Sequence, residues 1–280
     1  MGSMSFRTYH DVGGEDRSQL YAQVVAQRER VGRRLASVRR VVAVMSGKGG
    51  VGKSHLTATL AAGLASRLEQ GVGVLDADLR SPTVARLLGV SGPLRVTEDG
   101  VEPAIGTAGV RVVSTDLLLE ESQPLRWREP ATERFVWRGV LETGTLREFL
   151  SDVVWGTLDL LLVDLPPGAD GGVDLKQMVP NLAGALVVTI PSEESRRSVA
   201  RTMCSASEAG IPLLGIVENM SSYGCEDCGA QRALFDGTAG ADLSAEFGVP
   251  LLARVPFTPG AVPGSCDTPG LVDAFLECIR

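Results

Sequence analysis

The residues best equipped for chemistry in this 280-residue chain stand together as Gly47-Lys48-Gly49-Gly50-Val51-Gly52-Lys53-Ser54. They follow the apolar run Val41–Met45 and precede an Ala/Leu-rich stretch from Leu56 to Leu68. Glycines at this spacing let the backbone curl until its N–H groups face inward, and a helix starting at once adds partial positive charge. Such a turn cradles phosphate. Lys53 is expected on the β- and γ-phosphates of ATP and Ser54 on Mg²⁺, with Gly47, Gly49, Gly50, Val51, Gly52 and His55 completing the nucleotide contacts. A glycine-rich turn alone is weak evidence; its place between a strand and a helix gives it weight.

Two acidic strand ends belong with it. Val74-Leu75-Asp76-Ala77-Asp78 carries carboxylates two residues apart, hence on one side of a strand, and either could stand near the γ-phosphate and its attacking water. Leu160-Leu161-Leu162-Val163-Asp164 ends a second apolar run before Pro166-Pro167-Gly168 and places Asp164 to hold Mg²⁺ through water. A carboxylate at a strand end is often only a helix cap, but three such segments in this order point to one ATP site.

The chain's CxxC is Cys225-Glu226-Asp227-Cys228, in a knuckle expected over 221–229. Two thiolates so spaced can face one metal, zinc or iron–sulfur. Either usually takes four ligands, so a symmetric dimer would supply the other pair. A redox dithiol is the weaker reading, because the helix and thioredoxin-like setting it needs are missing. Cys204, Cys266 and Cys278 read as buried or incidental.

Positioning these groups calls for alternating strands and helices. Apolar runs at 41–45, 72–75, 110–113, 158–163, 185–190 and 213–217 read as strands. Stretches at 18–38, 56–68, 145–154, 172–180 and 196–209 read as helices. The expected fold class is α/β: a doubly wound, mostly parallel sheet with helices on both faces. Residues 1–17 read as a tag remnant and flexible arm, and 18–280 as a single domain.

Composition narrows the function. Lys plus Arg number 27 against 34 Asp plus Glu, a formal charge of −7, which disfavours nucleic acid as a partner. Arg28, Arg30, Arg33, Arg34, Arg39 and Arg40 read as a solvated helix face rather than a nucleic-acid or lipid patch. No apolar run reaches the roughly 20 residues of a membrane span. Five cysteines without a secretory signal suggest a cytoplasmic protein with free or metal-bound thiols.

On these residues the chain resembles the Mrp-type iron–sulfur carrier ATPases, relatives of the MinD/ParA ATPases and of nitrogenase iron protein. The resemblance runs over residues 38–275. It rests on Ser46–Ser54, Asp76-Ala77-Asp78 with Pro82, Val136-Trp137-Arg138-Gly139, Trp155–Asp159, Val163–Gly168, Gly215-Ile216-Val217-Glu218-Asn219-Met220-Ser221 and the cysteine pair. It implies an ATPase that holds a [4Fe-4S] cluster between the protomers of a homodimer and passes it to apo iron–sulfur proteins. It also implies roles: Lys48 as a lysine acting across the dimer on the partner's nucleotide, Asp78 as the carboxylate positioning water, Asn219 as the adenine-reading amide, and Cys225 and Cys228 as cluster ligands. The chain departs from the pattern at His55, Leu79-Arg80-Ser81-Pro82-Thr83, Val140, Pro167–Gly171 and Thr258, all near the nucleotide, which points to slow hydrolysis. The competing reading is a MinD/ParA-like regulatory switch with structural zinc at the CxxC. An electron-transfer reductase ranks last, since that class draws its cysteines from separate loops.

Overall fold

The computed structural model describes residues 20–118, 144–224, 228, 230–263 and 270–280. The N-terminal arm, the Val136-Trp137-Arg138-Gly139 motif, Cys225 and Cys266 lie outside the described residues.

Unbroken apolar runs with no polar alternation can be satisfied only by strands covered on both faces. The sequence places such runs within β1 (Val38–Ser46), β2 (Val72–Asp76), β7 (Leu158–Asp164) and β8 (Gly184–Thr189); in β2, β7 and β8 every residue is buried. Leu160, Leu161 and Leu162 of β7 are wholly removed from solvent, and such burial is worth about 1.5–3 kcal/mol per side chain against exposure.

These strands form the centre of a nine-stranded sheet with β5 (Ala104–Ile105), β6 (Arg111–Ser114), β9 (Leu213–Gly224), β10 (Gln231–Arg232) and β11 (Leu251–Phe257). The order is β11-β9-β8-β1-β7-β2-β6-β5, and all pair in parallel except β5 with β6. The short β10 pairs antiparallel with Tyr223 and Gly224 of β9, beyond the end of β8. A separate hairpin joins β3 (Arg95–Thr97) and β4 (Gly100–Glu102). The mostly parallel sheet expected from the sequence is the sheet observed.

One helical group is α2 (Lys53–Ala65), lying on β1, β2 and β7, with α3 (Val84–Leu87) and α8 (Leu271–Cys278) beside it. A second comprises α5 (Asp170–Met178) and α6 (Glu193–Glu208) against β1, with α7 (Ala239–Phe247) against β9 and β11. Helix α1 (Leu20–Leu35) precedes β1, and α4 spans 144–152. Among the described residues no helix is long and apolar enough to cross a membrane.

Two boundaries differ from the sequence reading in a way that bears on function. Helix α2 begins at Lys53, not Leu56, so the phosphate-loop lysine is itself helical. Strand β9 does not stop at Val217; it continues through Glu218–Gly224, because β11 pairs with it as far as Tyr223. Ser221–Gly224 of the expected knuckle are therefore strand.

Candidate functional site

The phosphate loop leaves the C-terminal end of β1 and enters α2, at the edge of the sheet where doubly wound folds bind ligands. Gly50 and Gly52 have φ of 80° and 79°, in the left-handed region that side-chain-bearing residues resist. Gly47 is required for another reason: a Cβ there would lie 2.4 Å from the backbone of Ser198 and Val199 in α6. Ser198 Oγ also donates to the Gly47 carbonyl at 2.5 Å.

At the foot of the loop, three side chains converge on one carboxylate. Asp164, fully buried, is 2.8 Å from Lys53 Nζ and accepts from Ser54 Oγ at 2.6 Å, both through Oδ2. Its Oδ1 accepts from Thr57 Oγ1 at 2.7 Å. Lys53 is 6% exposed, and Nζ makes no well-directed hydrogen bond, so a buried ammonium is left with unused donors beneath the glycine turn. A buried cation with spare donors at the start of α2, directly after the glycine turn, fits a polyphosphate. Hydroxyl and carboxylate oxygens at Ser54 and Asp164 are the hard donors that Mg²⁺ takes.

Asp76 stands beside Asp164, its register partner on the neighbouring strand. It accepts from Thr83 N at 2.9 Å, Val84 N at 3.1 Å and Ser114 Oγ at 3.1 Å. Burial pushes its carboxyl up to about 7, with the charge of Asp164 adding to the rise, while the hydrogen bonds from Val84, Ser114 and Thr83 pull the other way. Asp78 is less enclosed; its Oδ1 accepts from Ser81 N at 3.2 Å. It lines a cavity of about 380 Å³ with Leu165, Pro166, Gly168 and Asp170, at the C-terminal ends of β2 and β7.

A second cavity, of about 320 Å³ and largely apolar, opens on the other side of the loop. Gly52, His55 and Thr59 form one wall; Asn219, Met220 and Pro256–Thr258 form the other. Asn219 donates from Nδ2 to the Val51 carbonyl at 2.9 Å, which leaves its Oδ1 as an acceptor. His55 Nε2 meets the Ala261 carbonyl at 3.1 Å, tying α2 to the segment after β11.

The structure thus brings Lys53, Ser54, Asp164 and Asn219 to one loop, with Asp78 and His55 at its two flanks. Lys48 sits half-buried on the loop, and among the described residues no hydrogen bond or ion pair holds its side chain. Cys228 is exposed just beyond β9. Cys204, read as buried or incidental, is exposed on α6. Sequence reasoning missed Thr57, which also donates to the Lys53 carbonyl at 3.0 Å. Its signal was available: four residues after Lys53, it shares the helix face that looks at β7. Pro256 and Phe257 were missed too, and nothing in their local pattern marks them.

A family model described as NUBPL iron-transfer P-loop NTPase matches residues 37–271. The chain belongs to this family. Relatives include an iron–sulfur cluster carrier protein of Saccharolobus solfataricus, 37% identical over 87% of this chain and 80% of that protein. The cytosolic Fe-S cluster assembly factor CFD1 of Chaetomium globosum is 37% identical over 80% of this chain and 76% of its own length. A nucleotide-binding protein from Archaeoglobus fulgidus, solved in complex with ADP, superposes with a TM-score of 0.71 at 31% identity, covering 90% of this chain and 97% of that one. The cell-division ATPase MinD of Pyrococcus furiosus shares the fold alone, with a TM-score of 0.54 at 21% identity, over 86% of this chain and 97% of that one.

Proposed function

We propose that this chain is an ATP-hydrolysing iron–sulfur cluster carrier, which binds a [4Fe-4S] cluster between two copies of itself and delivers it to apo-proteins in the cytoplasm. The observation that carries the reading is the course of β9. One strand presents Asn219 to the phosphate loop and ends at Gly224, immediately before Cys225 in the sequence, so nucleotide and cargo sites share one element. The printed names of the carrier and assembly-factor relatives, and the ADP held by the Archaeoglobus fulgidus protein, support it.

Each residue then has a task. Lys53 and the loop N–H groups bind the β- and γ-phosphates, and Gly49, Gly50, Val51 and Gly52 shape the cradle. Ser54 and Asp164 would hold Mg²⁺, which when bound neutralises phosphate charge. Asp78, beside its own cavity, orients the attacking water. Asn219 accepts from the adenine amino group through its free Oδ1, and His55 closes the base side by its bond to Ala261. Lys48, without a partner among the described residues, reaches the nucleotide of the second copy. Cys225 and Cys228 of each copy ligate the cluster as cargo.

Anaerobic reconstitution with iron and sulfide tests this. About four irons and four sulfides per dimer are expected, lost in a Cys225→Ser/Cys228→Ser variant that still binds ATP. Tightly held zinc with no sulfide uptake would overturn the carrier reading in favour of a regulatory ATPase with a structural metal.

A further inference from the structure

Strand β9 is not regular between its two functional ends. At Asn219 it is pressed onto the phosphate loop: a Cβ on Gly52 would lie 2.2 Å from Asn219 Nδ2. At Tyr223 and Gly224 it pairs with β10, and Cys228 stands in the sequence between the two strands. Between them Met220 has a φ of 53°, and Ala108 is the other non-glycine residue of positive φ among the described residues. For a residue with a Cβ this conformation costs about 1–2 kcal/mol, so it persists only where the surroundings impose it.

Pairing with β11 changes at the same place. Asn219 is matched by Val255, but Tyr223 is matched by Phe257, so β9 carries extra chain over Met220–Ser222. A bulge of this kind re-aims the strand that follows it. Its neighbours reach both sites. Met220 and Phe257 line the cavity beside Gly52 and His55, and the Phe257 ring lies 6.5 Å from that of Tyr223. The wall of the cavity and the foot of the β9–β10 ladder are therefore built from adjoining side chains.

We propose that the left-handed backbone at Met220 is a positioning device that makes the setting of the β9–β10 ladder, and with it the Cys228 thiol, depend on what fills the cavity between Gly52 and Phe257. The inference rests on the cavity taking the base of a nucleotide. A base seated there bears on Met220 and Phe257. The surplus chain of the bulge lets that displacement appear beyond Tyr223 instead of being absorbed by the regular ladder, and the response is as large as the difference in affinity between the two settings.

The test uses the full-length, cluster-free chain in a Cys225→Ser background and follows alkylation of Cys228 by iodoacetamide with site-resolved mass spectrometry, without and with saturating Mg-ATP. ATP binding is measured separately by calorimetry. Coupling of ordinary size changes the alkylation rate about fivefold or more on adding ATP. Met220→Gly, which adopts positive φ freely, keeps the response through Phe257; Met220→Val, whose β-branch opposes it, brings the ratio to one. An unchanged response in Met220→Val, or its loss in Met220→Gly, overturns the proposal. A parent chain that binds ATP with no change at Cys228 overturns the coupling alone. One that binds no ATP overturns the nucleotide reading and the coupling with it.

Discussion

Asp76 and Asp164 face each other across β2 and β7 as register partners, both fully buried, and among the described residues only Asp164 has a cation beside it. The sheet thus keeps two carboxylates side by side at the phosphate loop, and they divide the work. Asp164 gathers Lys53, Ser54 and Thr57, whereas Asp76 receives backbone N–H groups from the turn into α3.

The unpaired member of this couple sets a pH dependence. Burial and the neighbouring charge raise Asp76 from 3.8 to about 7. A folded carboxyl raised above its unfolded value holds its proton longer in the native state. Its contribution to stability is thus full below about pH 4 and is lost as pH rises through about 7. A shift of this size corresponds to ~4 kcal/mol. Urea denaturation of nucleotide- and metal-free protein between pH 4 and 8 should show this loss in the parent, and a flatter profile in Asp76→Asn. Parallel profiles would dismiss Asp76 as the source.

Lys53 is expected to matter for folding as well as for binding. Removing it leaves the Asp164 charge buried with only the Ser54 and Thr57 hydroxyls for company. Lys53→Met should cost about 3–5 kcal/mol in urea denaturation and abolish ATP binding. Adding Asp164→Asn removes the stranded charge, so the double variant should regain most of the stability but none of the binding. Equal stability of the single and double variants would contradict a buried ion pair.

The glycines of the loop separate into two kinds. Gly47→Ala drives a methyl into the α6 backbone, whereas a Cβ on Gly49 meets nothing within 4 Å. Thermal unfolding should report a loss of about 1–3 kcal/mol or more for the first and a change within about 0.5 kcal/mol for the second. Gly49→Ala should nevertheless weaken ATP binding, because the loop must approach the phosphates closely. Undiminished affinity in Gly49→Ala would remove that residue from the cradle.

Much of this arrangement was legible in the sequence, for a physical reason. Within the expected strands, Val72–Leu75, Leu160–Val163 and Ala185–Val188 are apolar without alternation, and only two-sided burial explains that. Lys53, Ser54 and Asp164 were legible because phosphate chemistry restricts residue type as well as spacing. What escaped was decided by pairing. Glu218–Tyr223 looks like loop by composition and becomes strand because β11 lies alongside. Thr57 looks like helix filler until β7 presents Asp164 to it. Residues 95–102 and 239–247 were not assigned; the first form a hairpin of three-residue strands, and the second a helix of nine residues, too short to leave a firm periodic trace.

The wedge of Gly47 against α6, with Ser198 gripping its carbonyl, has a thermodynamic consequence. A free glycine-rich segment would surrender its backbone freedom when it closed around phosphate, at about 1–2 kcal/mol per residue. Here the first turn of the cradle is already fastened to the body of the protein, so that loss falls on folding and not on capture of the nucleotide. The loop meets its ligand as a finished mould, and differences in affinity among nucleotides are left to the groups beyond it, at the base and at the γ-phosphate.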